Sequence, residues 1–161
     1  MRLVVPGFYG TNSVKWLTRI MLADRRSTGP FTARWYNDRV LDAAGRPTGE
    51  TRPVWSIAPE SLIVSPAQGA TVEAGRTVEV WGWAWADAAV DSVDVSVDGG
   101  RSCTQAALES RAGRAGQRFT ATWRPNQRGD YELSSRAHSQ RQSQPSTGAR
   151  NALLSIPITV L

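Results

Sequence analysis

An all-β, immunoglobulin-like sandwich preceded by an irregular segment is the fold this sequence predicts, and three observations predict it. From about Ser61 to the C-terminus, apolar side chains recur on a period of two; turn residues punctuate the chain between these runs; and no stretch carries a helical period of useful length. The 161 residues suffice for one domain, or one domain with an appendage, at about 100–200 residues per domain. A hydrophobic content of 40% supports a true core and excludes disorder throughout.

The strands follow in order. Ser61-Leu62-Ile63-Val64 runs into the turn residues Ser65-Pro66-Ala67-Gln68-Gly69. Thr77 to Trp85 alternates on a period of two. Val93, Val95 and Val97 share one face and Asp94, Ser96 and Asp98 the other, and Asp98-Gly99-Gly100 then reads as a hairpin turn. Phe119, Ala121 and Trp123 alternate with Thr120, Thr122 and Arg124. Arg128-Gly129-Asp130 reads as a turn, after which Tyr131 and Leu133 alternate with Glu132 and Ser134. Residues 156–161 close the chain, with Pro157 marking an edge or a strand start.

Residues 1–60 behave differently. Leu3-Val4-Val5-Pro6-Gly7 and the run from Val14 to Ile20 are two strand-like apolar pieces joined around Gly7-Phe8-Tyr9-Gly10. A polar, Pro/Gly-punctuated stretch with Trp35, Tyr36, Trp55 and several arginines follows. Two strands and an irregular tail cannot bury each other's faces. The segment therefore reads as the end of another domain, and the division falls between residues 1–58 and 59–161.

Composition excludes several function classes. Residues 1–52 carry nine Lys/Arg and four Asp/Glu, whereas residues 53–161 carry ten of each, so the whole net charge of +5 sits in the first third. Scattered arginines without a basic helix or a stacking platform do not make a nucleic-acid surface. No apolar run approaches the roughly 20 residues that span a bilayer, so no membrane partner is expected. The opening Met-Arg-Leu-Val-Val-Pro-Gly is not a secretory signal, which leaves cytoplasm and periplasm both open. One cysteine, Cys103, excludes an internal disulfide framework and a multi-cysteine zinc site, and one histidine, His138, excludes a His-rich metal centre.

Several segments carry a resemblance in the same order along the chain. Val5-Pro6-Gly7-Phe8-Tyr9-Gly10 followed by Ser13-Val14-Lys15-Trp16-Leu17-Thr18-Arg19 resembles the last cofactor-facing segment of the sulfite oxidase family of molybdenum-cofactor oxidoreductases. Residues 31–38 are similar to its aromatic connecting stretch. Ser61 to Pro66, with Gly69, Gly75 and Gly82-Trp83-Ala84-Trp85, resembles the opening of its C-terminal dimerisation domain, and residues 93–100 resemble its central hairpin. Arg136-Ala137, Gln144-Pro145 and Asn151 stand where the late motifs belong. Three positions depart from the pattern: Cys103 and Arg150 stand where the family usually has tryptophan, and Ser139 where it has an acid. Each departure is expected to remove a packing or capping group and to weaken the sandwich.

The resemblance implies that the segment holding Ser13 and Lys15 lines the molybdopterin, so these two are the candidate cofactor-binding residues. At i and i+2 of a strand they would share one face, with Trp16 packing on the other. No catalytic residue and no metal ligand is assigned. Cys103 follows a surface turn far along the chain from that segment, so it is no candidate metal ligand. His138 reads as a surface residue near a strand end.

The family's catalytic domain, with its metal-ligating cysteine, precedes the segments matched here. The chain is therefore expected to be inactive and metal-free alone and to bind no molybdopterin tightly. In the intact family the activity is oxygen-atom transfer to sulfite or a similar small substrate, with electrons passed to an acceptor that the sequence does not identify. The tryptophans at 81, 83 and 85 are expected to serve core packing and the seam of a homodimer. An immunoglobulin-like binding or adhesion module, with the tryptophans as a carbohydrate or peptide platform, is the alternative.

Overall fold

The computed structural model describes residues 1–42, 44, 46–140 and 142–161. These residues form two compact units: Met1–Ile57 with Gly148–Arg150, and Ala58–Thr147 with Asn151–Leu161.

In the first unit, β1 (Asn37–Leu41) and β2 (Pro47–Pro53) form an antiparallel pair. Asp42 shapes the connection. Its Oδ1 accepts the N–H groups of Ala44 and Arg46, each at 2.9 Å, and its Oδ2 takes the Arg46 guanidinium at 3.0 Å. The Arg46 backbone bond, followed by these others, holds the Asp42 carboxyl below its usual range.

The two strands of this unit lie elsewhere than the sequence placed them. At residues 3–7 and 14–20 the structure has only one bridge, Arg2 to Lys15, beside a 2.9 Å bond from Leu3 N–H to Val14 O. Pro6 offers no N–H to a ladder, and Trp16 takes φ 50°, a left-handed conformation foreign to a strand. Pairing therefore stops at Lys15. Val54 is the one fully buried hydrophobic residue among the described residues of this unit.

The second unit is built from β3 (Glu60–Ser65), β4 (Thr71–Val72), β5 (Val78–Trp85), β6 (Ser92–Ser96), β7 (Thr104–Gln105), β8 (Ala107–Leu108), β9 (Gln117–Trp123), β10 (Gly129–Ser139), β11 (Gln142–Ser143) and β12 (Ser155–Val160). One sheet has the order β3-β5-β9-β8. The other has the order β4-β12-β10-β6-β7, with β11 pairing β10. Every pairing is antiparallel except the short β12–β4 contact. The expected long strands all form. Pro157 lies inside β12, where only the two-residue β4 runs on the far side from β10 and pairs Thr159 and Val160.

The core lies between the sheets. Val80, Ala84, Phe119 and Trp123 come from one side; Val93, Val95, Leu133 and Ile158 come from the other. The Trp123 ring meets Tyr131 edge-on at 5.1 Å. The expectation that tryptophans 81, 83 and 85 join the core is overturned: Val80, Gly82 and Ala84 take the inner face of β5, and the tryptophans turn outward. Glu79 shares the outer face with the tryptophans and the inner set carries no charge, and space fixes the same choice. A Cβ on Gly82 would collide with the Leu62 carbonyl and the Phe119 ring, so only glycine fits there.

The Asp98-Gly99-Gly100 turn follows β6 with φ 71° and 86° at the two glycines. Ser96 Oγ accepts the Gly100 N–H at 2.8 Å, and Asp98 accepts from the hydroxyl and the N–H of Ser102 at 2.6 and 2.9 Å.

Candidate functional site

Ser13 follows a single 3-10 turn, Gly10–Asn12, whose last bond runs from Ser13 N–H to Gly10 O at 3.0 Å. Its hydroxyl accepts the Val5 N–H at 3.4 Å, which ties it to the opposite arm of the loop. Lys15 is exposed, bridges to Arg2 through the backbone, and makes no ion pair among the described residues. The two residues do not lie on a shared strand face. Trp16, expected to pack behind them, is instead 82% exposed. Arg2, which the sequence reading passed over, is brought into register with Lys15. The loop is closed by Asn12, whose amide donates to the Tyr9 and Val54 carbonyls, each at 3.3 Å.

This donor set suits part of a phosphate-bearing pterin. Two cations in register beside a hydroxyl can meet an anionic, hydrogen-bonding group. It does not suit the metal itself. Among the described residues, no three His, Cys, Asp or Glu side chains converge as ligands, and Cys103 is exposed in the other unit.

The outer face of the four-stranded sheet carries the tryptophan stripe. Trp83, 41% exposed, stands opposite Leu62 on one side and Arg118 on the other. The Arg118 guanidinium lies 4.7 Å from the Trp81 ring centroid and pairs with Glu79 at 3.1 Å. Trp85 bonds the Glu60 carboxyl; partial burial, the larger effect, pushes that carboxyl upward against this bond. Between the sheets, a cavity of about 70 Å³ is lined by Val80, Val95, Thr104 and Trp123. That is far below the roughly 300–1,000 Å³ of a small-molecule pocket.

The structure shows what surrounds each of the three residues that depart from the family pattern. Ser139 is buried, and its hydroxyl donates to Ala89 O at 2.7 Å. Arg150 pairs with Asp38 at 3.4 Å. Cys103 is exposed, so no packed position is left short of a side chain there. His138 sits on β10, with its ring bonded to Asp94 and Ser143. Gln144 and Asn151 are buried anchors: Asn151 Nδ2 donates to Pro59 O at 2.6 Å.

Comparison with known proteins defines the class. A family profile described as a bacterial Ig domain matches residues 59–138, and one described as an oxidoreductase molybdopterin binding domain matches residues 1–31. Human mitochondrial sulfite oxidase is 33% identical over 122 residues, 71% of this chain and 22% of that protein. The NADPH nitrate reductase of Neurospora crassa is 32% identical over 133 residues, 68% of this chain and 13% of that protein. The crystal structure of the sulfane dehydrogenase SoxCD from Paracoccus pantotrophus matches with a TM-score of 0.71 at 26% identity, over 96% of this chain and 42% of that one. The chain belongs to the sulfite oxidase family of molybdenum-cofactor oxidoreductases, as the counterpart of its C-terminal part. It spans about a fifth of the length of the sulfite oxidases it matches.

Proposed function

We propose that this chain contributes an edge of the molybdopterin pocket and a pairing sandwich to a sulfite-oxidase-type enzyme acting on sulfite or a similar small substrate. The division of labour follows the sequence reading, with residues 1–58 toward the cofactor and 59–161 toward the second copy. One observation carries the reading: the molybdopterin-binding profile covers residues 1–31, and within them Arg2, Ser13 and Lys15 present two cations and a hydroxyl on one loop. When bound, the cofactor supplies two-electron redox chemistry and oxygen-atom transfer. The Lys15 ammonium would neutralise and position a phosphate oxygen. Ser13, whose oxygen is already engaged by the Val5 amide, keeps its proton to donate.

The sandwich half of the proposal places the self-association surface on the tryptophan face. Exposed Trp83 and the half-buried Trp81 and Trp85, flanked by the charges of Arg118, Glu79 and Glu60, have the composition of an interface, apolar at the centre and polar at the rim. A two-fold pair would bury the same patch on both copies, on the order of 1,200–2,000 Å² in total.

Two measurements test these halves. Titration of the labelled chain with pyrophosphate is expected to move the amide resonances of Ser13 and Lys15 and to leave them still in Lys15→Ala; no movement in the parent chain overturns the pocket edge. Sedimentation equilibrium over a hundredfold concentration range is expected to show a dimer that dissociates on dilution and is lost in Trp83→Glu. A single monomer mass throughout overturns the pairing role and returns the tryptophan face to the carbohydrate or peptide platform.

A further inference from the structure

On the outer face of the six-stranded sheet, side chains from three strands meet. His138 of β10 stands opposite Ser143 of β11, and Asp94 of β6 stands opposite Arg136, the neighbour of His138 on that face. The imidazole Nε2 lies 3.0 Å from Asp94 Oδ2, and Nδ1 lies 2.8 Å from Ser143 Oγ. In the neutral imidazole these contacts select one tautomer. A carboxylate can only accept, so Nε2 carries the ring proton; Nδ1 then offers a lone pair, and Ser143 donates its hydroxyl to it. Hydroxyl, base and orienting acid are thus connected in the order that activates a serine.

The backbone adds to this arrangement. Among the described residues, β11 pairs only with β10. Gln144 N–H donates to Ala137 O at 2.9 Å, so by the alternation of an antiparallel ladder Ser143 turns its own N–H away from β10, toward the open edge. The N–H of the attacking serine is one of the donors that stabilise an oxyanion in acyl transfer. The Arg136 guanidinium, held by Ser146 Oγ at 2.7 Å, places a positive charge on the same face. Ser143 is exposed, so a carbonyl carbon can reach Oγ from solvent.

We propose that Ser143 is an acyl-accepting nucleophile, with His138 as its base and Asp94 as the orienting acid, reactive toward small activated esters. Oγ bonds to the ester carbonyl carbon as its proton passes to His138 Nδ1. The ester C–O bond breaks, and the departing alkoxide or phenoxide takes that proton back. Water, deprotonated by the same nitrogen, then cleaves the acyl-serine, releasing the carboxylic acid and restoring the hydroxyl. Exposed on an edge strand, the site selects for small size and a good leaving group. This activity is independent of the molybdopterin reading.

The test uses the full chain with p-nitrophenyl acetate and, separately, a fluorophosphonate probe, read by intact mass and peptide mapping. One adduct per chain on Ser143 is expected, absent in Ser143→Ala and formed at least about tenfold more slowly in His138→Gln and Asp94→Asn. Acetylation of Lys15 and the terminal amine serves as the uncatalysed background within the same sample. Melting curves establish that each variant is folded, and Asp94→Asn preserves shape should His138→Gln fail to fold. Adducts spread evenly over the serines, or fluorophosphonate incorporation unchanged in Ser143→Ala, overturn the assignment.

Discussion

Ser61 and Gln144, 83 residues apart in sequence, join the two sheets through a 2.7 Å bond from the Ser61 hydroxyl to Gln144 Oε1. The same oxygen accepts the Ala137 N–H at 3.2 Å, and the Ser135 hydroxyl donates to Ser61 Oγ at 3.0 Å. All three side chains are buried. A sandwich whose layers meet mainly through apolar contact thus has polar fastenings as well, and this one holds the segment after β11 against β3.

Gln144→Ala leaves the Ala137 N–H buried without its acceptor and the Ser61 hydroxyl without its partner. Each lost partner strands a desolvated group, so the cost is about 2–4 kcal/mol. Urea unfolding followed by tryptophan fluorescence measures it. An unchanged midpoint would show that the fastening contributes nothing.

Gly82→Ala is expected to cost about 3 kcal/mol, since its new methyl group meets the Leu62 carbonyl and the Phe119 ring at once. Backbone cannot yield as a flexible side chain does. Thermal unfolding reads the effect, and a melting temperature equal to that of the parent would refute the crowding argument.

Two carboxyls give stability opposite dependences on pH. Bonds from Ser102 hold Asp98 well below the ordinary carboxylate range, so its contribution is present above about pH 4 and is lost as pH falls further. Glu60 is raised by partial burial, so the folded state favours its protonated form, and stability falls as pH rises through its folded pKa, above about 4.3. Unfolding of Asp98→Asn should depend less on pH below 4 than the parent does. Glu60→Gln should lose the decline seen above it. Identical pH profiles for parent and variants would contradict both assignments.

Trypsin should cut the first unit well before the second. Ordering a backbone costs roughly 1–2 kcal/mol per residue, and burial of Val54 offsets little of that across residues 1–57. Trp16, Ile20, Met21 and Leu22 stay in solvent. Early fragments should begin after the arginines up to Arg52, with residues 59–161 surviving; an intact N-terminal third after the sandwich is digested would reverse the ranking.

The sandwich was legible because its strands alternate cleanly. Phe119, Val93 and Leu133 lie on the inner faces that period two assigns them. The β1–β2 pair was not legible: β2 holds no aliphatic residue, and its turn rests on the Asp42 carboxylate rather than on a hydrophobic pattern. On β5 the bulky tryptophans drew the inner assignment although Glu79 shares their face. Gly82 carries no hydropathy signal, yet its lack of a side chain is what admits the Phe119 ring. At the candidate site, Ser13 and Lys15 were found by resemblance. Arg2 was invisible until the backbone brought it opposite Lys15, and the grouping of Asp94, His138 and Ser143 depends on a three-strand register that no local spacing encodes.

The two-residue strands β4, β7, β8 and β11 lie at outer edges of the sandwich. An open edge invites the backbone of another molecule to continue the ladder, and edges this short offer too few amides for a stranger to grip. Among the named edge strands β3 is the longest, and its first residue is the acidic Glu60. Edge-to-edge growth therefore finds one six-residue strand to start from, while the broad faces stay available for ordered encounters.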